Sequence, residues 1–186
     1  MKRFSLFSVL IALAAVTGIG CNTTSRAADS PKEKTMKMGK RDCKTIPLSK
    51  GAMDVYDFGA IKLHAFKTND AIADECFLVE KNGKVFMIEA PCFFDNIAEL
   101  EKYITDIGAD YVGTVIAYHA AGGSFMHEKP VYSTKNADAY NQSGGGAALV
   151  NNFAAAFGEA FDKSLYTTTN FIEGDSLRLA DVEMKI

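Results

Sequence analysis

Residues 53–58 (Met-Asp-Val-Tyr-Asp-Phe) and 61–66 (Ile-Lys-Leu-His-Ala-Phe) alternate apolar and polar side chains. That is the period-2 signature of half-buried strands, with Gly59-Ala60 as the turn between them. His64 falls in the second strand on the face of Lys62, opposite Ile61, Leu63 and Ala65, and reads as a surface or hydrogen-bonded strand histidine rather than a ligand. Residues 75–80 and 84–89 flank Asn82-Gly83, a dipeptide suited to the positive φ angles of a tight hairpin. Asp95 is placed to cap a helix over 96–107, with Ile97, Leu100, Tyr103, Ile104 and Ile107 on one face and Gly108 at its end. Residues 111–117 are apolar enough for a strand buried on both faces, and a short strand over 131–134 follows. After a glycine break at 143–146, residues 147–161 return to helical spacing, with Val150, Phe153, Phe157 and Phe161 forming a stripe that reads as core. Residues 171–179 and 182–186 predict two further short strands around a turn.

With 48% hydrophobic and 23% charged residues among 186, the chain has the composition of one globular domain. Twenty Lys and Arg against 23 Asp and Glu give a net charge of -3 without a basic stripe, which argues against nucleic acid as a partner. The first 21 residues read as an address. Lys2-Arg3 precedes an apolar run over 4–16 and then Gly18, Gly20 and Cys21, the pattern of a secretory signal. Gly18-Ile19-Gly20-Cys21 resembles a bacterial lipoprotein cleavage box, which implies lipidation of Cys21, membrane attachment through the N-terminal lipid, and residence in the periplasm or on the outer surface. Cleavage after Ser25 and Ala27 is the alternative. Residues 22–48, poor in large apolar side chains, predict a flexible tether, and 49–186 the folded domain. Apart from Cys21 there remain Cys43, Cys76 and Cys92, with no C-x-x-C spacing; Cys76 and Cys92 read as small apolar residues at strand ends, or two of the three as a disulfide.

One order of elements carries a resemblance. A strand pair, a hairpin with Phe77-Leu-Val-Glu80 and Val85-Phe-Met-Ile-Glu-Ala90, a helix, a buried strand running into Tyr118-His119-Ala-Ala-Gly122-Gly123, then Pro130-Val-Tyr-Ser133 and Glu173-Gly-Asp-Ser-Leu-Arg-Leu179, resembles the first half of the metallo-β-lactamase superfamily. The resemblance spans about residues 53–186. It implies an α/β fold, the αββα sandwich of that family without its C-terminal half, and a zinc-dependent hydrolase ancestry. Ile88-Glu89-Ala90-Pro91 stands where the family has Ile-Asp-Thr-Gly, and Tyr118-His119 matches the Thr-His pair of Thr-His-x-His-x-Asp-His-x-Gly-Gly. The residues between that pair and the glycines have shrunk to Ala120-Ala121, and the family's Gly-His-Thr turn lies beyond Ile186.

A catalytic zinc takes three protein ligands and keeps an open position for water. His119 alone does not supply them, so the expectation is no bound cofactor; the alternative is a reduced zinc site using His119, His127 and a carboxylate such as Glu89 or Glu128. By the resemblance, the ligand cleft is rimmed by Glu89, Pro91, Cys92, Phe93, His119, Gly122, Gly123, Ser124 and Phe125. Two functions follow. One is a non-catalytic relative that binds a small molecule or an envelope protein. The other is an envelope hydrolase of ester, lactone or amide bonds, working through the reduced metal site or through Cys92 as nucleophile beside His119. A third expectation concerns assembly: an open sheet edge covered by a second copy or another chain.

Overall fold

In the computed structural model, which describes residues 43–118, 121–126 and 129–186, the alternating segments join in one eight-stranded sheet ordered β1 to β8. The signal segment, Cys21, residues 22–42 of the tether, His119, Ala120, His127 and Glu128 lie outside the described residues. Strands β1 (Lys44–Leu48), β2 (Gly51–Asp57), β3 (Lys62–Thr68), β4 (Glu75–Lys81) and β5 (Lys84–Ile88) form an antiparallel meander. Asn82 at φ 52 and Gly83 at φ 73 supply the two positive angles of the β4–β5 turn. Helix α1 (Phe94–Asp106) then returns the chain, so that β6 (Asp110–Ile116) enters parallel to β5; β7 (Val131–Ser133) and β8 (Asn170–Phe171) continue in parallel.

Each face of the sheet is covered by a different element. Ile97, Leu100, Tyr103 and Ile104 of α1 bury against Met53, Phe66, Leu78, Met87 and Ile116. On the opposite face, the hairpin of β9 (Ser176–Leu179) and β10 (Val182–Lys185) sets Leu179 and Val182 on Val79, Phe86 and Val115. Ala180 at φ 47 and Asp181 at φ 60 form its turn without glycine.

Four sequence boundaries move. The last five residues of the stretch read as tether, Lys44–Leu48, are β1, because Ile46 and Leu48 alternate onto the core edge and pair with Met53 and Gly51. Asp95 is not the cap of α1: the N-cap is Phe93, with no side-chain cap bond, and the helix start is set by the burial of that ring. Asp95 sits in the first turn and takes Lys50 Nζ at 2.5 Å instead. The segment read as one strand over 171–179 breaks at Gly174 (φ 94) into β8 and β9. Finally, α2 (Lys135–Ser143), capped by Thr134 Oγ1 accepting from Ala137 N at 3.2 Å, precedes the glycine run. That run contains no flexible break. Only Gly144 interrupts the helices, and Gly145 and Gly146 open α3 (Gly145–Phe157). A Cβ on Gly146 would lie 2.4 Å from Asn141 Oδ1, so the close approach of α2 and α3 depends on glycine there. Phe161 falls beyond α3, bridged to Phe93.

Candidate functional site

Because β5, β6 and β7 are parallel, the loops that leave their C-terminal ends meet at one end of the sheet. Glu89 is the first residue after β5 and takes a left-handed φ of 62, a conformation that costs a side-chain-bearing residue on the order of 1 kcal/mol. The carboxylate offsets that strain: Oε1 accepts from Ala117 N at 2.9 Å and Tyr118 N at 3.0 Å, fixing the end of β6. Gly122, at φ 81, then passes so close to Pro91 that a Cβ would stand 2.3 Å from the Pro91 carbonyl oxygen.

The residue that organises this end of the sheet is Asp162, which the sequence reading did not single out. It is 0% exposed. Its Oδ2 accepts from Ser124 N at 3.0 Å and Ser124 Oγ at 2.5 Å, and its Oδ1 accepts from Ser164 N at 2.9 Å. Its own N–H donates to Cys92 O at 2.8 Å, and its carbonyl accepts from Gly122 N at 3.3 Å. A buried carboxylate is tolerated when its lone pairs are met by donors, and here backbone and hydroxyl donors meet them. The only sequence signal for it was local: Asp-Lys-Ser is compatible with a side chain folding back on the N–H two residues on.

Glu89, Pro91, Cys92, Phe93, Gly122, Gly123 and Ser124 all follow the strand ends on this side of the sheet, and their polar groups are turned onto neighbouring backbone and side chains. Cys92 is 1% exposed within a cluster of Phe93, Ala121, Val150 and Phe161. Reactive thiols sit in accessible, electropositive surroundings, and the apolar burial of Cys92 gives the nucleophile reading no support. No disulfide joins any two of Cys43, Cys76 and Cys92, which sets aside that alternative; burial pushes the Cys76 thiol well above its ordinary range. Among the described residues no three His, Cys, Asp or Glu side chains gather to hold a metal. Both oxygens of Asp162 and one of Glu89 are engaged by N–H and O–H donors, an arrangement that suits positioning of the loops rather than metal ligation by these carboxylates.

What this end of the sheet presents outward is aromatic. Tyr118, 62% exposed, and Tyr140, 43% exposed, stack with ring centroids 6.3 Å apart and planes 26° from parallel. With Ala121, Gly146, Leu149, Val150 and Phe153 they line a shallow apolar crevice holding about 20 Å³ of space. A larger pocket of about 190 Å³, between α1 and the loop after β6, is lined by Glu101, Ile104, Thr105, Tyr111 and Phe125. Burial holds the Tyr111 hydroxyl up at about 12.

Among the solved structures it resembles are metallo-β-lactamases. DIM-1 metallo-β-lactamase has a TM-score of 0.45 at 14% identity over 69% of this chain and 55% of that one. FIM-1 from Pseudomonas aeruginosa, in its mono-zinc form, has a TM-score of 0.43 at 8% identity over 67% of this chain and 54% of that one. An enzyme from Erythrobacter litoralis with β-mercaptoethanol in its active site has a TM-score of 0.42 at 10% identity over 55% and 49%. The chain spans about half the length of these structures. No family model matches it, and no curated protein does.

His64 belongs to a different place, under α1. It is 3% exposed, with Nδ1 2.7 Å from Tyr103 Oη and Nε2 3.0 Å from Glu80 Oε2. The sequence reading of a hydrogen-bonded strand histidine holds, on a face that α1 covers. Burial lowers its pKa more than Glu80 raises it, while Tyr103 is held up at about 12 and stays a donor. The neutral ring thus accepts from Tyr103 at Nδ1 and donates from Nε2 to Glu80. A folded-state pKa below the unfolded value of about 6.5 means that this group's stabilisation is complete above that pH and is lost as pH falls below it. Melting temperatures taken between pH 7 and pH 5 should fall for the native chain and fall less for His64→Gln; parallel decreases would show that another group sets the profile.

Proposed function

We propose that this chain is an exported, lipid-anchored binding protein built on a metallo-β-lactamase-like α/β sheet, which recognises a planar or apolar group at the C-terminal ends of its parallel strands. The observation that carries the reading is the exposed Tyr118–Tyr140 stack over an apolar floor, on a scaffold whose neighbouring polar groups are satisfied internally. Aromatic rings left in water beside apolar side chains offer contact area at low entropic cost, and a stacked pair prefers a flat partner. The ligand class is a small molecule with a planar face, or an apolar side chain of an envelope protein. Glu89 and Asp162 act here as positioning residues that hold the two loops bearing the crevice.

The test is titration of the full chain with anilinonaphthalene sulfonate as a planar apolar probe, together with zinc analysis and a screen of ester, lactone and β-lactam hydrolysis. Loss of one stacking partner in Tyr118→Ala should weaken probe binding about tenfold, the equivalent of about 1.4 kcal/mol. Binding unchanged in that variant would remove the crevice as the site. Stoichiometric zinc with turnover would replace this reading by a hydrolase.

A further inference from the structure

Strand β10 has one partner and one open edge. It pairs with β9 in the register Val182↔Leu179, Glu183↔Arg178, Met184↔Leu177 and Lys185↔Ser176, and the two form a separate two-stranded sheet. The bond from Ile186 N to Asp175 O, at 2.9 Å, fixes which backbone groups point where. Along a strand these groups alternate direction, so those of Val182, Met184 and Ile186 face β9, while those of Glu183 and Lys185 face outward. Among the described residues no backbone group meets the outward pair. The side chains alternate between the two faces. Val182 and Met184 turn to the sheet with Leu177 and Leu179, while Glu183 and Lys185 stand exposed.

An open edge is usually blunted by charge, since like charges brought opposite one another repel. This edge carries one charge of each sign, two residues apart, on the two positions whose backbone is free to pair. In an antiparallel pairing of β10 with itself, the registers that seat Glu183 on Glu183 or Lys185 on Lys185 set like charges together. The register between them seats Glu183 on Lys185 twice, by symmetry. We infer that β10 pairs antiparallel with β10 of a second copy in this register, joining two hairpins into a four-stranded sheet. Each of the two symmetry-related pairs exchanges both of its N–H···O bonds. On the inner face Met184 meets its own counterpart, and Val182 meets Ile186, which is 41% exposed in the single chain. The outer edge of β9 offers no such match, because its outward positions are Ser176 and Arg178. The interface is independent of the ligand reading above and lies on another element.

The test is sedimentation equilibrium of the full chain over a range of concentrations. The native chain should dimerise reversibly. Lys185→Glu sets Glu against Glu in both pairs and should raise the dissociation constant about tenfold or more. The double exchange Glu183→Lys with Lys185→Glu reverses both charges and should restore most of the association. Circular dichroism checks that each variant is folded, and both positions are solvent-facing. A chain that is monomeric throughout, a dimer indifferent to Lys185→Glu, or a folded double variant as weak as the single one would overturn the inference. Should the single variant fail to fold, the salt response of the native dimer reads the same pairs: weakening with ionic strength supports them, and indifference to salt overturns them.

Discussion

Asp162→Ala should lower the unfolding free energy by about 2–3 kcal/mol. The substitution leaves three donors without their acceptor: Ser124 N and Ser124 Oγ, on a half-buried residue, and Ser164 N, on an exposed one. A donor left unmatched in the interior costs about 1–3 kcal/mol; the full cost is approached at Ser124, while water replaces the carboxylate at exposed Ser164. The loop over 121–126 should loosen with it, because Gly122 N and Gly123 N are held by the backbone of the same segment, at Asp162 O and Ser164 O. Urea unfolding gives the energy, and amide exchange at Ser124 and Ser164 gives the location. Asp162→Asn retains the shape and one acceptor, and should cost clearly less. A loss below about 1 kcal/mol for the alanine variant would mean that the segment is held by its apolar contacts, Cys92, Phe93 and Phe161, and not by the carboxylate.

Gly122→Ala is the second large effect, and Gly59→Ala isolates its cause. Both glycines have similar left-handed angles, φ 81 and φ 83. Around Gly59 nothing lies within 4 Å of an added Cβ, whereas at Gly122 the Pro91 carbonyl oxygen stands 2.3 Å away, with the Ala90 side chain at 3.3 Å. The Gly59 variant should therefore show only the conformational cost, about 1–2 kcal/mol. The Gly122 variant adds a clash between two backbone segments that are each pinned elsewhere, and should lose about 3 kcal/mol or more in all. Thermal and denaturant unfolding of both variants measure the difference. The same change should disturb the aromatic crevice, since Ala121 is part of its lining; equal losses for the two variants would show that the loops after β5 and β6 yield without resistance.

The elements themselves were largely legible in the chain. Period-2 alternation placed β2 to β5, the Asn82-Gly83 pair placed their central turn, and the spacing of Ile97, Leu100, Tyr103 and Ile104 placed the face of α1. These are local signals, set by propensity and by the repeat of a helix or strand. Boundaries went astray where burial outweighed them: Phe93, not Asp95, starts α1 because the ring is packed. Lys44–Leu48 became a strand because β2 offered it an edge. Residues 145 and 146 open α3 instead of breaking the chain, and they are glycine because Tyr140 and Asn141 occupy the space where side chains would be.

The sequence alone determined β2 to β5, the turn at Asn82-Gly83 and the apolar face of α1, since each depends on neighbours in the chain. Only the tertiary structure decided how the loops after β5 and β6 meet. Asp162, about forty residues along the chain from Ser124, supplies the acceptor its backbone needs, and Cys92 is sealed beneath phenylalanines that arrive from α3 and beyond. The pairing of Tyr118 with Tyr140 likewise joins the end of β6 to α2. Such contacts depend on the distances that folding closes, and nothing in the local pattern of either partner records the other.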